Sequence, residues 1–485
     1  MHSLTDIFRG LVRDHMGPKP IETVRSTTVE AAVEAMARTG TALVVTDSQS
    51  RPVGILTALD VLRRVVLHAP AHQAVETVMT TPVVTVTVDD HLFQAITTMR
   101  RHGLRDVPVV DGAGRLAGLM ALDQALLVLS ALSVRLVDRL TQDDSADGLR
   151  RIKEVQVELG AALLREDAPI ADVQALLTHI NSDLHRRALV RAIADMVADG
   201  WGEPPVAFAL IVMGSGGRGE SLLDPDQDNG FILADYADAD HTRIDAYFVP
   251  LAERFTRLLD AIGFPLCVGN VMATNPVWRK RISEWRRQIA IWLRKRTEAQ
   301  LLLSDILFDF RHVWGDAALS ESLRASITQS IARNPAFIRD LAATDATHTA
   351  ALGWFGRLRS ERDRQDRPGM INLKMRGALP LVEAARLLAL KTGVPATSTL
   401  ARLDGLLARG ALHPDDHDEL KDAFNFISRL LLRQQVESFQ AGARIDDFIP
   451  EARLSKRERD HLVACFRAIV NLRTVMQAEL MRGTF

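Results

Sequence analysis

From Met16 to about Ser133 the chain repeats itself at an interval of about 63 residues, Met16-Gly17-Pro18 being answered by Met79-Thr80-Thr81-Pro82. A repeat of this length is one supersecondary unit that hides its apolar face against its twin, so it limits the fold more than any composition does. TVEAAVEAMARTGTALVVTDSQSRPVGILTALDVLRRV runs parallel to LFQAITTMRRHGLRDVPVVDGAGRLAGLMALDQALLVL. Each copy predicts an amphipathic helix, a valine-rich strand ending in Asp, a turn, a second strand and a second helix.

A different stretch carries chemistry: Val206 to Leu233, VAFALIVMGSGGRGESLLDPDQDNGFIL. Val206 to Met213 predicts a buried strand that stops at Gly214 and Ser215. After a turn, Asp226-Gln227-Asp228 leads into the apolar run Gly230 to Leu233. Residues i and i+2 of an extended chain point the same way, so Asp226 and Asp228 share a face. Two hard oxygen ligands following a Gly-Ser turn form a candidate site for Mg²⁺ (or Mn²⁺) and phosphate. Gly214, Gly216 and Gly219 also spell the dinucleotide fingerprint G-x-G-x-x-G. Spacing argues against it: a Rossmann unit needs a crossover of about a dozen residues or more, and here the next strand arrives within about two helical turns.

Gly214-Ser215-x-Gly217-Arg218-x-Glu220 followed by Asp226-x-Asp228 resembles the nucleotidyltransferase signature of the polymerase-β superfamily. The nearest resemblance is to the branch related to protein-PII uridylyltransferase in which the transferase module follows a pair of CBS domains. That resemblance implies transfer of a nucleoside monophosphate from an NTP to a protein or small-molecule acceptor. It places Gly214, Ser215, Arg218 and Glu220 at the nucleotide, with Asp226 and Asp228 as catalytic metal ligands. Such chemistry needs positioning and charge neutralisation more than covalent participation by the protein.

The repeat, in turn, resembles a tandem CBS pair (a Bateman module), which implies an adenosine-type ligand such as AMP or ATP and a homodimer. In the first copy Gly54-Ile55-Leu56-Thr57-x-x-Asp60 fits the family pattern, with the Thr57 hydroxyl on phosphate and Asp60 on ribose. The second copy departs from it, with Ala121 at the hydroxyl position, Gln124 at the acid position and Asp123 one residue early. A one-residue displacement at a helix start turns a side chain by about 100°, which predicts loss of this contact. A dimerisation or spacer module without ligand is the alternative.

At 485 residues the chain has room for several domains. Lys+Arg 59 against Asp+Glu 61 leaves a net charge of −2, so no global field draws it to a polyanion. Two cysteines, Cys267 and Cys465, are too few for a disulfide framework and suit a reducing, cytoplasmic setting. MHSLTDIFRGLVRDHMG mixes charges and lacks the apolar stretch of a signal peptide. The apolar run Ala125 to Val134 is about half of what a bilayer requires, so no membrane partner is expected.

Arg150 to Arg165 and Ile170 to Val197 show helical spacing, and Asp183, His185 and Arg186 read as a solvated face with at most a supporting role. Asp240 to Ile262 predicts an amphipathic helix, Phe264 to Val271 a strand, and Asn275-Pro276 the start of a helix bearing Trp278, Trp285 and Trp292. Three tryptophans seven apart fall on one stripe. With Arg279, Lys280, Arg281, Arg286, Arg287, Arg294 and Lys295 beside them they invite a base-stacking reading, but a buried stripe with a basic outer face is preferred. Leu301 to Arg311 is expected as a strand with Asp305 and Asp309 set into an apolar run. Buried carboxylates need a partner or a metal, and the resemblance implies a third carboxylate from a later strand as general base or metal ligand. Asp309 is the first candidate, Asp305 the second, and a structural Asp309–Arg311 pair the alternative. Beyond Gly315 three helical segments predict a bundle that resembles a substrate-binding domain, with Lys374, Arg376, Arg433, Gln434 and Gln435 as candidate cleft residues.

The expected architecture is α+β and multidomain: an N-terminal segment (1–15), CBS repeats (16–70 and 71–133), a helical lead-in (134–200), a polymerase-β-like core with a mixed sheet (201–320) and a helical domain (321–485). The expected function is a Mg²⁺-dependent, uridylyltransferase-like signalling enzyme regulated through its CBS pair. A non-catalytic nucleotide-sensing scaffold is one alternative. An RNA 3′-end nucleotidyltransferase is another, disfavoured by the neutral charge and the lack of a basic tract. No His-Asp dyad for a built-in phosphohydrolase is visible.

Overall fold

The computed structural model describes residues 10–65, 72–122, 125, 144–345, 349–353, 358–359 and 368–481. The chain is an α+β multidomain protein that divides into two compact units, Met1–Asp143 and Asp144–Phe485.

In the first unit each repeat builds a three-stranded sheet. Strands β1 (Glu22–Thr23), β2 (Leu43–Thr46) and β3 (Pro52–Leu56) accompany helix α1 (Val29–Thr39). Strands β4 (Val86–Thr87), β5 (Asp106–Val110) and β6 (Leu116–Ala121) accompany α2 (Leu92–Arg101). In both, the first strand lies parallel to the second and the second antiparallel to the third. Helix α1 begins where the Thr28 hydroxyl accepts from Ala31 N and ends at Gly40, whose φ of 68° favours glycine. It buries Val29, Ala32, Ala35 and Met36, one stripe at helical spacing. The two halves share a small core of Ala42, Val44, Ile55, Leu116 and Leu119. Asp123 and Gln124, which set the second repeat apart in sequence, lie outside the described residues, as do positions 134–143 of the lead-in.

The second unit opens with two long helices, α3 (Ala146–Arg165) and α4 (Ile170–Ala198). A four-stranded mixed sheet follows in the order β10-β7-β8-β9. Strand β7 (Phe208–Val212) is central and antiparallel to both β8 (Asn229–Leu233) and β10 (Arg311–Gly315). Strand β9 (Arg279–Arg281) extends the sheet parallel to β8. A one-turn helix, α5 (Gly214–Arg218), leaves β7, and α6 (His241–Ile262) packs on α4 and α3.

Three expectations are corrected here. Phe264 to Val271 forms no strand: Gly263 ends α6 at φ 107° and Asn270 sits at φ 54°, so the segment is a folded loop tied to β8 through Asn229 N to Val271 O at 3.0 Å. Trp278 precedes its helix rather than riding on it, because β9 intervenes before α7 (Ile282–Lys295). Leu301 to Phe308 is helical, within α8 (Glu298–Phe308), and only Arg311 onward is strand. A continuous apolar run fits a buried strand and a buried helix equally, and the capping pair Thr297 and Gln300 selects the helix.

The preferred reading of the tryptophan stripe matches the structure. Trp278, Trp285 and Trp292 are buried, the first two with ring centroids 6.1 Å apart, and Trp285 Nε1 donates to Phe231 O at 3.1 Å. The sheet continues into helices α9 (Ala317–Ala332), α10 (Pro335–Asp345), α11 (Leu379–Thr392), α12 (Thr399–Ala408), α13 (Pro414–Gln440) and α14 (Lys456–Met481), with a small sheet of β11 (Met370–Asn372) and β12 (Phe448–Pro450). One continuous apolar core runs from Trp278 and Trp285 through Leu323 to Leu388, Phe424 and Phe466. Sheet and helical segment are therefore welded, and the groups at their junction are held by both. Among the described residues no helix is long and apolar enough to cross a membrane.

Candidate active site

The site is assembled where β7 ends. Met213 N donates to Asp228 O at 2.8 Å, which draws the two strand ends together. Gly214 then turns into α5 at φ +60°, and a Cβ there would meet Asp228 Oδ2 at 2.8 Å. Glycine is required both for that backbone conformation and for the approach of the carboxylate.

Alternation at the head of β8 sorts the next side chains. Gln227 is fully buried and its amide donates to Thr256 O at 3.1 Å and Phe264 O at 2.7 Å. Asp226 and Asp228, on either side of it, line one cavity with Ser215, Gly216, His185 and Asn181. Asn229 locks the neighbouring loop by accepting from Ala273 N at 3.0 Å. Burial raises the Asp228 carboxyl above the ordinary value; the Cys267 thiol, hydrogen-bonded to it, pulls it back, and Asp226 pushes it up again. Burial and the Asp228 charge in turn push Cys267 up to about 11.

Lys374 comes to this site from the helical segment. Burial opposes its charge, but Asp447, Asp226 and Asp228 outweigh that and raise it above the ordinary lysine value. Its Nζ lies 3.5 Å from Asp447. Ser215, Arg218, Asp224, Lys374, Gln435 and Asp447 are among the residues around an adjoining cleft. Gln435 braces it, accepting from Leu223 N at 2.9 Å and donating to Asp447 at 3.1 Å. Arg376, the other cleft candidate, is not among the lining residues; its carbonyl accepts from Ala351 N. Arg433 and Gln434 line a separate groove with Glu437 and Arg453.

Arg218 and Glu220 are brought together but turned to structural partners. Arg218 Nε donates to Glu220 at 2.7 Å, and Glu220 accepts from Thr399 N at the start of α12. Asp309 is fully buried and bound by Arg218 at 3.0 Å, Arg386 at 2.6 Å and Arg402 at 2.5 Å. Burial alone would raise its carboxyl; the three guanidiniums override this and hold it well below the usual carboxylate range. Asp309 lines neither the cavity of Asp226 and Asp228 nor the adjoining cleft, so the structure does not bring this candidate third carboxylate to the other two acids; its three guanidinium partners include Arg218 of the cleft wall. Asp305 shares Arg386, one helical turn away on α8, and it is helical spacing rather than a common strand face that brings the pair together. The Asp309–Arg311 alternative is also set aside, since Arg311 is not among the partners of Asp309.

The sequence understated α3 and α4. His185 is not on a solvated face: it is buried against Phe264, and its Nδ1 lies 2.8 Å from Asn181 O. Nδ1–H donates there, leaving Nε2 as a buried acceptor without a partner among the described residues. Burial pulls its pKa down to about 4, so the ring is neutral. Asp183 and Arg186 pair with each other at 3.0 Å. Lys153 of α3 donates to Asn181 Oδ1 at 3.2 Å and Leu223 O at 3.0 Å, and burial pulls it down to about 7 against the pull of Asp224. Because the folded value lies below the unfolded lysine value of about 10.4, protonation opposes folding at and below pH 7 and this cost fades as pH rises toward 10. Lys153→Met is therefore expected to raise the midpoint of urea unfolding at pH 7 and to lose that advantage at pH 10. An equal effect at both values would refute it.

In the CBS pair the expected ligand residues Thr57 and Asp60 cap each other. The Thr57 hydroxyl donates to Asp60 Oδ2 at 2.7 Å, Asp60 N returns to Thr57 Oγ1 at 3.2 Å, and the Thr80 hydroxyl reaches Asp60 Oδ1 at 3.0 Å. Three of the basic side chains around the tryptophans are likewise engaged: Arg279 with Asp245, Arg281 with Asp238 and Glu284, Arg286 with Ser322.

Comparison with known proteins identifies the modules of the chain. Residues 12–67 and 75–130 match the CBS domain, residues 154–299 the family described as "Putative nucleotidyltransferase DUF294", and residues 335–480 the "Putative nucleotidyltransferase substrate binding domain". Together these matches make the chain a CBS pair joined to a putative nucleotidyltransferase module and its putative substrate-binding module. The DUF294 match includes most of α3 and all of α4, the helices that supply Lys153-adjacent residues and His185. Among curated relatives, the uncharacterized protein MK0525 of Methanopyrus kandleri is 30% identical over 118 residues, 24% of this chain and 58% of that protein. An uncharacterized 17.7 kDa protein of Acidianus ambivalens is 34% identical over 96 residues, 20% of this chain and 58% of that protein. The chain thus spans little more than half the length of either. Among solved structures, the CBS domain pair of protein MJ0100 in complex with 5-methylthioadenosine and S-adenosyl-L-methionine is 23% identical, covering 24% of this chain and 90% of that one, with a TM-score of 0.22. The CBS domain protein TA0289 of Thermoplasma acidophilum, of unknown function, is 27% identical, covering 27% and 76%, with a TM-score of 0.24.

Proposed function

We propose that the second unit transfers a nucleoside monophosphate from an NTP to a protein or small-molecule acceptor in a Mg²⁺-dependent reaction. The observation that carries this reading is the single cavity shared by Ser215, Asp226 and Asp228, at the junction of β7, α5 and β8. Two neighbouring carboxylates, one of them raised in part by the other's charge, are a donor set suited to a hard divalent cation. Mg²⁺ or Mn²⁺ held by Asp226 and Asp228 would supply charge neutralisation at the triphosphate. The protein's own part is positioning. Ser215 offers a hydroxyl to the phosphates, Lys374 brings a cation to the same acids, and Arg218 is kept at the cleft wall by Glu220 and Asp309. The cleft lined by Gln174, Ser428, Gln435 and Asp447 offers polar contacts for an acceptor.

The test is calorimetric titration of the full chain with each NTP and Mg²⁺, native against Asp226→Asn/Asp228→Asn. Metal-dependent binding is expected for one base above the others, with affinity reduced at least 100-fold in the double variant. Equal metal-dependent binding by both proteins would sink the reading, whatever the CBS pair binds. One observation favours a second reading, a nucleotide-sensing scaffold: the residue proposed as third carboxylate, Asp309, is closed off by arginines. For that reading the expected result is NTP binding without pyrophosphate release. The CBS pair is read as the adenosine-nucleotide sensor of a homodimeric enzyme, so AMP or ATP analogues are expected to change turnover.

A further inference from the structure

The pair of helices that closes the C-terminal bundle carries a group of side chains that the transfer reaction does not use. His461 and Cys465 lie four residues apart on α14 and so share one face. Asp422, on α13, reaches across to them, with Oδ2 at 2.5 Å from His461 Nε2. One ligand atom from each of the three lies within 4.8 Å of the others. The imidazole is held in orientation by Phe426, one turn beyond Asp422, whose ring stacks on it at 4.2 Å with an interplanar angle of 19°. The Cys465 sulfur is buried, while His461 and Asp422 open toward solvent at 39% and 59% exposure. The arrangement has a closed end and an entry path.

We propose that Asp422, His461 and Cys465 form a binding site for a late first-row divalent cation of the Zn²⁺ class, separate from the carboxylate site in the sheet. The donor set decides the class. A thiolate and an imidazole with one carboxylate suit Zn²⁺ or Co²⁺, whereas Mg²⁺ and Mn²⁺ prefer oxygen alone. Bond lengths of about 2.0–2.3 Å to a tetrahedral ion place ligands about 3–4 Å apart, a contraction that side-chain rotation on the two helices can supply. Three protein ligands leave the fourth position to water. Binding releases the thiol proton to solvent, and the proton that His461 Nε2 shares with Asp422 moves by way of solvent to Nδ1, or to solvent outright where both ring nitrogens carry one, so that Nε2 and the carboxylate oxygen exchange their mutual contact for two metal bonds. Its consequence is mechanical: the ion would clamp α13 to α14, and α13 carries Phe424, Ser428, Leu431 and Gln435 of the cleft wall.

The experiment is a Co²⁺ titration of the reduced full chain with excess Mg²⁺ present to occupy Asp226 and Asp228. The expected result is a thiolate-to-cobalt charge-transfer band that saturates at one equivalent and is bleached by Zn²⁺. Cys465→Ser is expected to abolish the band, and His461→Gln, a change at a half-exposed position that leaves the core intact, to weaken Co²⁺ binding at least tenfold. Cys267→Ser, the control for the other cysteine, is expected to retain it. Absence of the band in the native chain, its survival in Cys465→Ser, unchanged affinity in His461→Gln, or its loss in Cys267→Ser would each overturn the proposal.

Discussion

Asp309→Asn is expected to destabilise the second unit by about 3–5 kcal/mol, the range for breaking a buried ion pair by removing one partner. Asn keeps the shape and removes the charge shared by Arg218, Arg386 and Arg402, of which Arg218 retains Glu220 and Arg386 retains Asp305 while Arg402 loses its carboxylate. The sign of the pH dependence follows from the depressed folded value of Asp309. A lowered carboxyl contributes stability that is fully present above the unfolded value of about 3.9 and is lost as pH falls toward the folded one. Urea unfolding of native and variant chains at pH 7 and again below pH 4 checks both claims. The gap is expected to be widest at pH 7 and to narrow by about 1.4 kcal/mol per pH unit below 4. A gap under about 1 kcal/mol at pH 7, or one that ignores pH, would show that the arginines are solvated rather than held by this carboxylate.

The network around Asp309 also explains what could and could not be read from residue order. Ser215, Asp226 and Asp228 lie close together in the chain, and strand alternation with a Gly-Ser turn suffices to bring them to one cavity. The first repeat was equally legible, because its helix carries its own cap at Thr28 and its own stop at Gly40. Arg386 and Arg402, by contrast, reach Asp309 from helices 77 and 93 residues away, and no local pattern announces such a partnership. Asp447 and Asp224 likewise look like turn residues until the bundle folds back and sets them around Lys374. The apolar run from Leu301 failed for another reason: with nearly every position apolar, periods of 2 and 3.6 cannot be told apart, and the deciding cap lay just upstream at Thr297. His185 was hidden by its polar neighbours Asp183 and Arg186, which pair with each other and leave the ring to the interior.

Gly217→Ala and Gly214→Ala, three residues apart on one helical turn, are expected to fail in opposite ways. A Cβ at Gly217 would stand 1.8 Å from the carbonyl oxygen of Asp309 and 2.9 Å from Phe310 Cα. Both are backbone atoms, and Asp309 is pinned by three arginines, so the obstacle has no rotamer by which to yield. Helix α5 must lift instead, carrying Ser215 and Arg218 with it. Overpacking typically costs about 1–3 kcal/mol, and an overlap with fixed backbone belongs at or above the top of that range, so stability and NTP binding are expected to fall together. At Gly214 the Cβ meets only the Asp228 carboxylate, at 2.8 Å, the movable end of a side chain. The cost there is the φ of +60°, about 1–2 kcal/mol for an L-residue in this region, together with displacement of one of the two proposed metal ligands. Gly214→Ala is therefore expected to unfold within a few degrees of the native chain while losing at least 100-fold in Mg²⁺-dependent NTP affinity. Thermal melts paired with calorimetry separate the two. If Gly214→Ala binds nucleotide normally, Asp228 does not need its present position, and the metal-site reading of that carboxylate falls with it.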